Sequence, residues 1–185
     1  MFEDDEIRVV DENDQGVPYG ELGELFVRGP TTIRGYYNSP EYNKKAFTED
    51  GFYRTGDVVR IVKGRYLTVE GRIKDTINRG GEKISAEGVE NHILGHPKVE
   101  NCAYVAMPDP VLGEKGCAFI LKKGNQELTP DELCRFLKEE RHISIFKLPE
   151  RLELVKEFSM TQIGKIDKKE LRLIIKEKLR KELKI

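Results

Sequence analysis

The sequence predicts an α+β protein in two parts, and three observations carry that reading. Before residue 71, short apolar runs alternate with polar residues and are separated by turns rich in Gly, Asp and Asn, the period-two pattern of half-buried strands. After residue 85, apolar residues return at intervals of three and four behind residues suited to cap helices, which marks amphipathic helices. Between them, residues 71–87 (GRIKDTINRGGEKISAE) set Arg72, Lys74, Asp75 and Arg79 among Gly71, Gly80 and Gly81. A plain linker is small, polar and low in information. This stretch carries charged side chains on a backbone that can bend, and reads as a hinge where both halves meet a ligand.

The elements follow in order. Residues 7–10 form a short strand, and the Asp11 to Gly16 cluster a turn. Residues 20–29 (GELGELFVRG) alternate as a second strand. Their glycines are turn and bulge glycines, because no Gly-Lys-Ser/Thr follows and no helix opens. A short helix is expected from Asn43 to Phe47, and then a hairpin: residues 58–62, a turn at Lys63 and Gly64, and residues 66–69. Ser85 caps a helix that runs through Val89 and Ile93 and stops at Gly95-His96-Pro97. Gly88 inside it costs about 1 kcal/mol relative to Ala. Residues 99–106 and 116–121 are antiparallel strands separated by the breaker Pro108-Asp109-Pro110. Thr129-Pro130-Asp131-Glu132 is a capping box, with Leu133, Phe136 and Leu137 as the buried face of its helix. A strand at 152–155, an exposed loop at Thr161-Gln162-Ile163-Gly164-Lys165 and a last helix capped by Asp167 and Glu170 complete a small domain of helices packed on one sheet.

Composition narrows the function. The 185 residues are 38% hydrophobic and 35% charged, with no apolar run of membrane-spanning length and an acidic rather than signal-like start. Membrane insertion is not expected, and the cytoplasm is the expected compartment. Cys102, Cys117 and Cys134 lack paired spacing and read as reduced thiols. His92 and His96 share an i,i+4 spacing, yet Gly95 and Pro97 interrupt the helix and no further ligand completes a set, so no metal is expected. Residues 165–185 carry nine Lys/Arg against four Asp/Glu. Leu171, Ile175, Leu179 and Leu183 recur every four residues, so these charges form the wet face of a helix. With no aromatic residues interleaved, nucleic acid is not the expected partner.

Asp57 follows a glycine at the start of a strand. The first reading is an Asx turn; the second is a fixed, partly exposed carboxylate able to accept hydrogen bonds from neighbouring hydroxyls, as on a nucleotide ribose. Residue patterns alone show no Ser-His-Asp order, paired carboxylates, dinucleotide-binding glycines or phosphate loop. They stop at a two-part protein with a junction compatible with a nucleotide.

Four motifs reach further. Tyr53-Arg54-Thr55-Gly56-Asp57, Gly71-Arg72-Ile73-Lys74-Asp75, Gly80-Gly81-Glu82-Lys83-Ile84 and Thr161-Gln162-Ile163-Gly164-Lys165-Ile166-Asp167-Lys168 resemble, in order, the later motifs of the AMP-forming adenylating enzymes, the superfamily of acyl-CoA synthetases, peptide-synthetase adenylation domains and luciferases. Residues 77–87 and Phe146-Lys147-Leu148-Pro149-Glu150-Arg151 look most like the 2,3-dihydroxybenzoate-AMP ligases.

The resemblance implies a β-rich, barrel-like last subdomain of a large N-terminal domain over residues 1–71, then a complete mobile lid over residues 72–185, with the hinge near Lys74. It implies an ATP-dependent acid-thiol ligase that activates a carboxylic, possibly aryl, acid as an acyl-adenylate and passes it to CoA or a carrier-protein thiol. Asp57 and Arg72 match the residues at the ribose, Lys74 and Asp75 the hinge, and Lys165 the lysine that reaches the α-phosphate and the substrate carboxylate. Arg79, Gly80, Gly81, Glu82 and Lys83 match the loop on the side where the acceptor thiol approaches. ATP and Mg are implied for the full-length enzyme and CoA or phosphopantetheine as acceptor, with no cofactor intrinsic to this stretch. The family's phosphate loop and acid pocket are not in the sequence. It is therefore expected to be a fragment, inactive alone and partnered by the large N-terminal adenylation domain. The alternative is a stand-alone module that binds a nucleotide or carrier protein without chemistry.

Overall fold

A computed structural model describes residues 4–62 and 66–182. The chain divides into two units, Met1–Lys74 and Asp75–Ile185, each built on its own sheet.

The first unit is an antiparallel meander of β1 (Glu6–Val10), β2 (Leu22–Arg28), β3 (Tyr53–Val62) and β4 (Tyr66–Arg72), paired in sequence order. The α+β class holds. Among the described residues this sheet has β1 and β4 at its edges. Val10, Phe26 and Phe52 are its buried cluster, and the guanidinium of Arg8 lies 3.9 Å from the centre of the Phe52 ring. The turn after β1 is held by Asp11, whose Oδ1 accepts from the amides of Asn13 (2.8 Å) and Gln15 (2.9 Å). The short helix α1 begins earlier than expected, at Pro40–Ala46, because a proline suits the first helical turn. The expected turn at Lys63 and Gly64 lies outside the described residues, as does Leu183 of the C-terminal stripe.

The second unit orders β6 (Glu82–Ser85), β5 (Thr76–Arg79), β8 (Gly113–Lys122) and β7 (Val99–Asp109) side by side, with β9 (Arg151–Val155) parallel to β8. β7 and β8 read as continuous apolar runs because both their faces are covered. On one face Cys102, Tyr104, Ala118 and Ile120 pack with Val89 and Ile93 of α2 (Ala86–Ile93) and with Leu133, Phe136 and Leu137 of α3 (Pro130–Glu139). On the other, Ala103, Val105, Met107, Cys117 and Phe119 pack with Leu171 and Ile175 of α4 (Lys168–Glu182). β7 runs through Pro108 to Asp109, past the expected breaker; the chain turns only at residues 110–112.

The caps follow the sequence, with one difference. Ser85 Oγ accepts from the Gly88 amide (3.1 Å), Thr129 Oγ1 from the Glu132 amide (3.2 Å) and Asp167 Oδ1 from the Glu170 amide (3.1 Å). The Glu132 carboxylate meets the Lys98 ammonium at 2.7 Å, an ion pair outside the expected capping box. Three cations of the basic helix α4 pair with carboxylates: Lys178 meets Glu153, Arg172 meets Asp75 and Lys168 meets Glu90.

Gly116 and Gly88 differ sharply in the space around them. A Cβ on Gly116 would fall 1.7 Å from the hydroxyl of fully buried Tyr104. One on Gly88 would make an ordinary contact, 3.4 Å, with Ser85 Oγ. Gly116→Ala is therefore expected to lower stability by about 2–3 kcal/mol through overpacking. Gly88→Ala is expected to raise it by about 0.5–1 kcal/mol through helix propensity. Urea unfolding of the two variants checks the opposite signs.

Candidate functional site

In the first unit Asp57 lies inside β3, in the register position opposite Arg72 of β4, so the Asx-turn reading does not hold. The register of β2 against β3 shifts between Glu24 and Phe26, and Gly56 (φ +73°) lies in the extra length of β3, a bulge that re-aims the following side chain. The Gly56 amide donates to Glu24 Oε1 (3.1 Å), Thr55 Oγ1 donates to the Leu25 carbonyl (2.8 Å), and the Asp57 amide donates to Thr55 Oγ1 (3.0 Å). Burial pushes the Glu24 carboxyl above its ordinary value. Asp57 Oδ1 meets Arg72 Nε at 2.9 Å, with the two side chains 27% and 53% exposed. An acceptor and a donor thus stand together on a partly exposed face of the sheet. Beside the motif, the Tyr53 and Tyr36 hydroxyls are 2.9 Å apart, and that hydrogen bond raises the Tyr36 phenol.

Ile73–Asp75 is one turn of 3-10 helix. Asp75, the first residue of the second unit, is tied to Arg172 of α4. Lys74 closes the first unit and is exposed.

Two loops of the second unit carry the remaining motif residues. In the β5–β6 turn, Gly80 (φ +58°) and Gly81 (φ +99°) occupy backbone conformations that favour glycine. The Gly80 amide donates to the Leu112 carbonyl (2.9 Å) and the Gly81 amide to Asn78 Oδ1 (3.1 Å). Arg79 Nε donates to Glu150 Oε1 (2.6 Å), while Glu82 and Lys83 are exposed. The partner turn is itself fixed. Asp109 Oδ1 accepts from the Val111 (3.0 Å) and Leu112 (2.9 Å) amides, and its Oδ2 meets Lys115 Nζ at 2.7 Å.

The other loop precedes α4. Met160 bridges to Ile166, the Thr161 amide donates to the Lys165 carbonyl (2.7 Å), and the Lys165 amide donates to Thr161 Oγ1 (3.1 Å). Gly164 (φ +73°) turns the chain, leaving Lys165 exposed with no side-chain hydrogen bond or ion pair among the described residues. An ammonium on such a tip is a mobile point charge.

Asp57 and Arg72 thus form one pair in the first unit, and Arg79–Lys83 and Lys165 lie on two loops of the second. Sequence reasoning missed Glu24, Glu90 and Glu150, which act across long sequence separations and carry no local signal. The thiols of Cys102 and Cys117 are buried and pushed up to about 12 by that burial, which keeps them protonated. His96 lies past the end of α2, buried against the Phe136 ring, with Nδ1 accepting from the Lys98 amide (3.2 Å). Among the described residues no group of three His, Cys, Asp or Glu side chains is arranged for a metal, and no helix is long and apolar enough to cross a membrane.

Residues 88–165 match the family model described as AMP-binding enzyme C-terminal domain. That stretch lies within the second unit. Over 95% of the chain, the sequence is 53% identical to the 2,3-dihydroxybenzoate-AMP ligase of Bacillus subtilis (strain 168). Over 97% of the chain it is 55% identical to the pyochelin synthase PchD of Pseudomonas aeruginosa (strain UCBPP-PA14). A crystal structure of the anthranilate CoA ligase AuaEII in complex with anthranoyl-AMP is similar with a TM-score of 0.84, at 28% identity over 96% of the chain. The chain spans about a third of these relatives, 32% of each of the first two and 34% of AuaEII. It is a relative of the AMP-forming adenylating enzymes over nearly its whole length, as its four motifs imply.

The turn that receives the Gly80 amide depends on Asp109. The Lys115 ammonium, then the Leu112 amide, hold its carboxyl down to about 2. A depressed carboxyl lends stability above its ordinary value of 3.8 and loses it as pH falls through about 2. An NMR titration of the Asp109 carboxyl carbon is expected to find its midpoint near 2, and a midpoint near 3.8 would mean that the turn lacks this clasp.

Proposed function

We propose that the chain serves as the nucleotide-gripping and lid portion of an ATP-dependent, AMP-forming acid-thiol ligase acting on an aryl acid of the 2,3-dihydroxybenzoate type. The observation that carries the reading is Lys165, an ammonium on a glycine-bent tip with no side-chain partner among the described residues. The chain that carries it is 53% identical, over 95% of its length, to a 2,3-dihydroxybenzoate-AMP ligase. In the first half-reaction a carboxylate oxygen attacks the α-phosphorus of ATP. A P–O bond forms, the bond to the β-phosphate oxygen breaks, and pyrophosphate leaves with the electron pair. Two anions must meet, and a cation that bridges both lowers that barrier. Lys165 is that cation, and Asp57 with Arg72 grips the ribose hydroxyls. In the second half-reaction a thiolate of CoA or of a carrier's phosphopantetheine attacks the acyl carbon. A C–S bond forms and the C–O bond to AMP breaks, with AMP leaving as the phosphate anion. The turn of Gly80 and Gly81 gives the thiol's arm a close approach to backbone. Magnesium, which accompanies ATP in such ligases, finds no ligand cluster among the described residues.

The test grafts this chain in place of the corresponding third of the Bacillus subtilis ligase. Acid-dependent ATP–pyrophosphate exchange is expected from the chimera and not from the 185-residue chain alone. Lys165→Ala is expected to slow exchange by about 10²–10³-fold, while thioester formation from preformed acyl-adenylate stays within about twofold. Equal loss in both half-reactions would remove Lys165 from its assigned role.

A further inference from the structure

We propose that Glu90 and Glu150, two carboxylates with no part in the chemistry above, are positioning residues, each fixing one of the two loops of the second unit. The proposal rests on the functional reading for what the loops do, but the anchoring itself is geometric. Glu150 stands between the last turn before β9 and β9 itself. Its Oε1 accepts from Arg79 Nε (2.6 Å), its Oε2 accepts from the Gly116 amide (3.0 Å), and its own amide donates to the Gly116 carbonyl (3.0 Å). One side chain thus joins the residue before Gly80 and Gly81 to the middle of the sheet.

Glu90 does the same for the lysine loop. Its side chain, 12% exposed on α2, meets Lys168 Nζ through both oxygens (2.7 and 2.8 Å) and accepts the Tyr104 amide at 2.6 Å. That amide lies on β7, the edge of the sheet, where a backbone donor needs a side-chain partner. Lys168 is three residues after Lys165 and opens α4. The base of the loop is therefore clamped while its tip stays open. A mobile tip on a fixed base can deliver an ammonium to a defined place, and a displacement of about 1 Å at a reacting group costs on the order of 10²-fold.

The two anchors touch different loops, so their effects should separate. In the chimera, Glu150→Ala is expected to slow thioester formation about tenfold or more and leave pyrophosphate exchange nearly unchanged. Glu90→Gln keeps an acceptor for Tyr104 but loses the charge facing Lys168, and is expected to do the reverse. Lys168→Met should match Glu90→Gln, which guards against a folding defect in either variant. Amide hydrogen exchange on the 185-residue chain supplies a readout free of activity. Glu150→Ala should speed the Gly80 and Gly81 amides about tenfold and spare Lys165, and Glu90→Gln should speed Lys165 and spare the glycines. Unchanged exchange at the loops, or both half-reactions falling together in a variant that retains its fold, would overturn the proposal. An unsubstituted chimera without activity, with the exchange pattern intact, would instead sink the ligase reading and leave the anchors standing.

Discussion

The constraint on which the second unit depends is that β7 and β8 are buried on both faces. Tyr104, Ala118 and Ile120 serve one layer of helices, while Val105, Cys117 and Phe119 serve the other. Each large side chain taken fully out of water contributes about 1.5–3 kcal/mol, and together these strands form a plank that cannot slip its register without exposing one layer. Tyr104 locks the plank further, because its ring occupies the space that a side chain at position 116 would need. Polar function has no room in such a sheet. The polar motif residues of this unit lie instead in the turns at strand ends and in the segment before α4, where the glycines 80, 81 and 164 bend the chain.

The charges divide along the same line. Lys168, Arg172 and Lys178 are tied to carboxylates on α2, at the hinge end and on β9, whereas Lys165 faces solvent. An exposed ion pair contributes little to stability, so a lysine on a loop loses little by going without one. For the role proposed for Lys165 what matters is availability: a cation already paired would have to break that bond before meeting another anion. Glu90 is the opposite case. Burial raises its carboxyl above the ordinary value even with Lys168 beside it, so the pair is held where water does not compete freely, and removing one partner leaves the other poorly solvated.

Sequence patterns carried the elements whose causes are local. Ser85, Thr129 and Asp167 cap the helices they precede because a cap acts over two or three residues. The stripe of Leu171 and Ile175 is buried as its spacing requires. Reading failed where a partner far along the chain decides. Asp57 looks like a turn residue until β4 supplies Arg72 opposite it. Pro108 looks like a breaker until β7 proves to be an edge strand, which tolerates a missing amide donor. Glu150 and Glu90 each look like one more surface acid, and only the fold brings them to Arg79, 71 residues away, and to Lys168, 78 residues away.

That asymmetry follows from what each kind of residue must do. A residue that touches a ligand is constrained by the ligand's shape and charge, so it falls in a compact motif with glycines nearby, as Lys165 beside Gly164 does in the role proposed for it. A residue that holds such a motif in place is constrained only by geometry across the fold, and its neighbours in sequence are free to be anything. The anchors are carboxylates for a physical reason. One planar group with two oxygens can take a side-chain cation on one and a backbone amide on the other, as Glu150 does with Arg79 and Gly116. A neutral apolar anchor would fill the space but leave both donors unpaired, and a lysine or arginine would repel the cation it must hold.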